Sequence, residues 1–236
     1  MMMGRRGMLA LLTGGMALVL SGCGRSQAWL RYRLTLEVNT PSGVSIGSSV
    51  LECTLYGPSM IPLPGDIGGS GNIGEAPTVD LGSGRFLFAV LADPLYRRDL
   101  FSIVSKVLAY PELKLGPPNE GMQERMKKAA ATKSSVMLLR RDYPMLVTFA
   151  NVSNPSSIVE VSPDNLAAAF GVGYSLKRIT FEAVDAKTPL TAGFSDRFPA
   201  IAKHRGNFRK TPPNTPRDQD LDASLGASSF FTGAAK

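Results

Sequence analysis

From Trp29 to Val38 the chain alternates without a break. Leu30, Tyr32, Leu34, Leu36 and Val38 fall on one side, and Arg31, Arg33, Thr35 and Glu37 on the other. A period of two predicts a strand with one buried face. Asn39-Thr40-Pro41-Ser42-Gly43 supplies turn chemistry, and Val44–Tyr56 then resumes an extended pattern whose phase changes near Gly47. The two runs predict a hairpin, with Gly47 as the place for a bulge. Gly57–Glu75 carries six Gly and three Pro in 19 residues and reads as a flexible loop, neither helix nor strand. Thr78–Leu81 and Arg85–Leu91, joined by Gly82-Ser83-Gly84, predict a second hairpin.

The period then lengthens. Tyr96, Leu100, Ile103, Val104, Val107 and Leu108 recur at helical spacing, with Asp93-Pro94 as the start signal and Pro111 as the stop. Met122–Lys133 predicts a second, more polar helix. Val136–Arg140, Met145–Phe149, Ile158–Val161 and Ser175–Val184 read as strands, and Ser162-Pro163 opens a short helix that Gly171 ends after Phe170. No internal repeat is visible. Hairpins mixed with two or three helices predict an α+β domain over 29–185 with a mainly antiparallel sheet. Beyond residue 186 the periodicity fades, and Arg197–Arg217 holds six Lys/Arg and no acid. Residues 186–236 are therefore expected to form a basic, Pro-containing tail of low order or a surface-hugging extension.

Composition narrows the classes. The chain has 236 residues, 44% of them apolar, which is enough for one real core. One His and two Cys exclude a disulfide scaffold, a Cys/His zinc module and a multi-His metal site. Arg5 and Arg6 precede an uncharged stretch, Met8–Leu20, and the first acid is Glu37. Thirteen residues are too few to cross about 30 Å of hydrocarbon, but they match a secretory signal of residues 1–22. Leu20-Ser21-Gly22-Cys23 resembles the lipobox of bacterial lipoproteins. That resemblance implies cleavage before Cys23 and diacylglycerol on its thiol, followed by a short linker at 23–28. Gly24, where inner-membrane lipoproteins often carry Asp, implies the periplasmic leaflet of the outer membrane. A plain signal peptide with an incidental Cys23 is the alternative. Tyr32–Ser49 and Tyr143–Ile179 also resemble a group of uncharacterised proteobacterial envelope proteins, which implies no activity.

Candidate chemistry is sparse. Cys53, on the face of Leu51 and Leu55, reads as a buried, inert thiol. Gly69–Gly74 fits G-x-G-x-x-G and Gly43–Gly47 fits G-x-S-x-G by letter. Neither sits between a strand and a helix, and a Ser45 nucleophile would need His204 from the tail. Asp80, Asp93, Asp99, Asp142 and Asp164 have simple readings as turn, cap or surface residues. Arg25, Arg31 and Arg33 lie near the anchor and could meet anionic lipid, as could Lys203, Arg205, Arg209 and Lys210. Aromatic residues among the last four are limited to Phe208, so no nucleic-acid partner is expected. No catalytic residue, metal ligand or cofactor is assigned. The expected role is a non-catalytic binding or assembly component with an envelope protein partner. The alternatives are a carboxylate-based envelope hydrolase and a carrier of a small apolar ligand.

Overall fold

A computed structural model of the chain describes residues 27–57, 69–93, 98–117, 120–208 and 221–232. The N-terminal alternation becomes β1 (Gln27–Thr40), which turns through Pro41-Ser42 into β2 (Gly43–Tyr56). Their ladder runs unshifted from Gln27 opposite Tyr56 to Thr40 opposite Gly43, where a φ of 130° suits the glycine. Gly47 therefore carries no bulge in this ladder, contrary to the sequence expectation. It is small for another reason: a Cβ there would stand 2.2 Å from the carbonyl oxygen of Thr78. The register irregularity lies on the other side of β1, between Glu37 and Val38.

The second correction concerns the glycine-rich segment. Gly69–Glu75 is strand β3, paired along β2 from Tyr56 opposite Gly69 to Glu52 opposite Ile73. Its weak intrinsic preference is overridden by neighbours on both edges, which satisfy its backbone groups. β4 (Thr78–Asp80) and β5 (Phe86–Ala89) form the expected hairpin. Pro94 and Tyr96 lie outside the described residues, but Asp93 does not open a helix. Ala92–Asp93 (β6) pairs with Arg98–Asp99 (β7), and helix α1 begins only at Leu100, ending at Val107. Leu100, Ile103, Val104 and Val107 form its buried stripe.

Helix α2 (Met122–Thr132) buries Met126 and Ala129, packs on β1, and stops at Lys133 in the left-handed region. β8 (Ser135–Met137), β9 (Leu146–Phe149) and β10 (Ile158–Glu160) follow. Helix α3 is the single turn Ala167–Phe170, starting later than Ser162-Pro163, and Asn165 Oδ1 accepts the Ala168 N–H at 3.2 Å. β11 (Ser175–Ala183) returns along β1.

The third correction is the C-terminal region. Phe194–Arg197 (α4), Pro199–Ala202 (α5) and Leu221–Ser224 (α6) are short helices, and Phe231–Thr232 (β12) pairs with β3. Phe194, Phe198, Ile201, Phe208, Leu225 and Phe230 are buried in the common core. Phe88 sits among four of the C-terminal and sheet rings: Phe149, Phe194, Phe198 and Phe230 lie with centroids 5.0–6.2 Å from its own. These residues belong to the domain and are not a low-order tail. The local pattern hid them because each ring is buried by a turn or a one-turn helix too short to show a period.

The finished architecture is α+β. A six-stranded sheet, ordered β12-β3-β2-β1-β11-β8, faces a four-stranded sheet, ordered β10-β9-β5-β4, and every ladder is antiparallel. β4 crosses β2 at Gly47, so the second sheet packs toward the hairpin tip.

Candidate functional site

The chain leaves α1 at Val107 and turns at Pro111, which places the Tyr110 ring beneath the segment that follows β8. There Arg140–Asp142 form a single 3-10 turn, with the Asp142 N–H donating to Leu139 O at 2.8 Å. Tyr110 Oη donates to Asp142 Oδ2 at 2.5 Å and accepts the Leu139 N–H at 3.1 Å. Asp142 is only 3% exposed. Lys106 Nζ stands 3.9 Å from its Oδ1, and Arg141 Nε stands 3.6 Å from its Oδ2. An open cleft of about 630 Å³ lies above this pair, walled by Lys106, Pro111, Glu112, Leu139 and Arg141. A second cleft of about 460 Å³ shares Arg141 and continues past Tyr143 to Glu160 and Ser162.

The chemistry of this site is that of a fixed donor. Burial, reinforced by the hydrogen bond to Asp142, pushes the Tyr110 phenol up to about 12, and the Leu139 N–H opposes that only in part. The phenol thus stays protonated at any physiological pH and holds Asp142 in place. It is no proton acceptor there. Arg125 plays a related part nearby: its buried guanidinium donates to the carbonyls of Leu108, Pro117 and Glu120 at 2.9, 2.6 and 3.2 Å. Asp142 was expected to be a plain turn or surface residue. Its buried partner could not be read locally, because Tyr110 is 32 residues away.

The other sequence candidates are dispersed. Leu20, Ser21, Gly22, Cys23 and Arg25 lie outside the described residues, as do Arg209 and Lys210. Arg31 Nε pairs with Glu52 at 3.0 Å while its Nη1 donates to Thr188 O at 2.6 Å; Arg33 pairs with Glu182 at 2.7 Å. Both guanidinium groups thus face carboxylates across the sheet. Glu37 likewise binds Arg178 and Lys177, which hold its carboxyl below the ordinary carboxylate range. Asp80 pairs with Arg197, and Asp164 takes two hydrogen bonds of 2.7 Å from Arg140, which lower its pKa. Cys53 is fully buried, and burial pushes its thiol up to about 12.

The two motif matches have settled geometry. Ser45 is inside strand β2, opposite Val38, and Gly69–Gly74 is inside β3 with a strand following it. Neither is a strand-to-helix turn. His204 is half-buried: its ring packs edge-on to Phe208 at 5.3 Å and its Nε2 contacts Asn207 O at 2.8 Å. Lys203 and Arg205 are exposed beside it.

Among the described residues there is no cluster of three or more His, Cys, Asp or Glu side chains able to hold a metal ion. Nor is any helix of them long and apolar enough to cross a membrane. No family model matches the chain, and neither a curated protein nor a solved structure matches it.

Proposed function

We propose that this protein is a lipoprotein of the bacterial cell envelope, anchored through Cys23 and facing the periplasm. It would work from the outer membrane more readily than from the inner, by binding or assembly with an envelope partner and without catalysis. The observation that carries the reading is Leu20-Ser21-Gly22-Cys23 directly after the apolar run Met8–Leu20 and directly before the fold. β1 begins at Gln27, and four extended residue steps reach at most about 14 Å. Such a linker keeps the domain against the bilayer. Two or three acyl chains, at about 0.8 kcal/mol per buried methylene, hold it there far more firmly than a single chain would.

A binding role is supported by how the acids are spent. Asp80, Asp142, Asp164 and Glu37 each hold a fixed partner, and Glu75 accepts the Gly193 and Phe194 N–H groups at 3.0 and 2.9 Å. The clefts beside Arg141 are open to solvent, unlike the enclosed, dry cavity a carrier of apolar ligands needs. Cys23→Ser is the test. Loss of acyl labelling and accumulation of the uncut precursor are expected. A variant that is still labelled and processed would overturn the assignment.

A further inference from the structure

We infer that the outer face of the six-stranded sheet, at the end nearest Cys23, seats in the headgroup layer of the bilayer through Trp29, Tyr56 and Ile73. This rests on the lipid-anchor reading and adds an orientation to it.

The ladders put the three side chains together. Residues directly opposite on antiparallel strands share a face. Trp29 is opposite Thr54, which is opposite Gly71; Tyr56 is opposite Gln27 and Gly69; Ile73 is opposite Glu52, which is opposite Arg31. Trp29, Tyr56 and Ile73 therefore lie on one face of β1, β2 and β3, opposite in sense to the buried Ala28, Leu30 and Cys53. They are 45%, 38% and 42% exposed. Gly71 provides the space between them: a Cβ there would be 4.0 Å from Cε2 of the Tyr56 ring, so that ring lies over the glycine.

The occupant follows from where the chain goes. Trp29 is the third residue of β1, and the segment ahead of Gln27 ends at the proposed lipid only four residues away. Tryptophan and tyrosine collect at membrane–water boundaries because each has an apolar ring and a polar tip. The next residues along the same face are paired charges: Arg31 with Glu52, then Arg33 with Glu182. An aromatic end bordered by neutralised pairs suits a headgroup layer without requiring anionic lipid. It replaces the expected role of Arg31 and Arg33 as lipid contacts. The exposed Val44 and Ile46 lie toward the opposite end of the hairpin, about 26–33 Å from the level of Trp29 at ~3.3 Å per residue.

Trp29 is the only tryptophan in the sequence and so reports on its own surroundings. The full lipidated protein, reconstituted in phosphatidylethanolamine–phosphatidylglycerol vesicles, should show blue-shifted emission, quenching by brominated acyl chains and several-fold weaker quenching by iodide than the same chain made from Gly24 onward, without signal or lipid, in buffer. Tyr56→Ser, which keeps the reporter, should restore much of the iodide access while the protein still floats with the vesicles. Replacing phosphatidylglycerol by phosphatidylcholine should leave the signal unchanged. Lipidated, floating protein whose Trp29 stays open to iodide would overturn this inference alone. So would shielding from iodide without bromolipid quenching, which would mean that protein covers the patch, and so would strict dependence on phosphatidylglycerol. Unmodified Cys23 and failure to float would overturn the anchor reading and this inference with it.

Discussion

Tyr110 Oη sits between an N–H and a carboxylate, and that position determines what its removal would do. Tyr110→Phe leaves Asp142 buried with one acceptor unfilled and the Leu139 N–H without its oxygen. Stranded polar groups of this kind cost about 1–3 kcal/mol, so the urea midpoint at pH 7 should fall accordingly. The pH dependence has a definite sign. The folded-state value, near 12, lies above the ordinary 10.0, so the phenol's contribution to stability is complete below pH 10 and is lost as the pH rises toward 12. The stability gap between native protein and Tyr110→Phe should stay constant from neutrality to about pH 9 and then narrow. A gap that widened with base would show that Asp142 does not hold the phenol in its protonated form.

At the scale of elements, close approach decides which glycines matter. A methyl group at Gly47 would meet the Thr78 backbone at 2.2 Å, and backbone cannot swing aside as a flexible side-chain end does. Gly47→Ala is expected to cost about 1–3 kcal/mol, as overpacking does, and to lower the thermal midpoint. Gly69→Ala is the control: nothing lies within 4 Å of the new methyl, so its effect should be near zero. The contrast also explains what the local pattern conveyed. The phase change near Gly47 was a true signal, but its cause was a second sheet passing overhead. Gly69–Glu75 looked like a loop because isolated glycines disfavour strands. It is a strand because β2 and β12 supply hydrogen-bond partners from either side.

For the molecule as a whole, the described C-terminal residues between 194 and 208 and between 221 and 232 close the core. Ala76 N–H donates to Phe230 O at 2.7 Å, and Leu91 N–H donates to Ser229 O at 2.8 Å, so the C-terminal segment is bonded into both β3's neighbourhood and the hairpin of β5. Thr188 and Thr191 bind Arg31 and Val50 across the outer face of β1 and β2. Truncation after Asp185 would remove Phe194, Phe198, Ile201, Phe208, Leu225 and Phe230 together. One buried Phe alone is worth about 3–5 kcal/mol against a total stability of about 5–15 kcal/mol. The truncated chain should lack a cooperative unfolding transition by circular dichroism and be cut rapidly by protease. A stable, protected 1–185 fragment would show that the aromatic cluster is dispensable.

The elements legible in the amino-acid order are those whose evidence is local. The alternation of Trp29–Val38, the turn at Pro41-Ser42, the hairpin of β4 and β5 and the stripe Leu100–Val107 are each carried by a single segment. Where partners come from far along the chain, folding set the outcome. It buried Asp142 against Tyr110, turned Arg31 and Arg33 toward Glu52 and Glu182, made a strand of Gly69–Glu75, and drew the C-terminal phenylalanines around Phe88. Periodicity records which face of an element avoids water, and it carries no address for the residue that will cover that face.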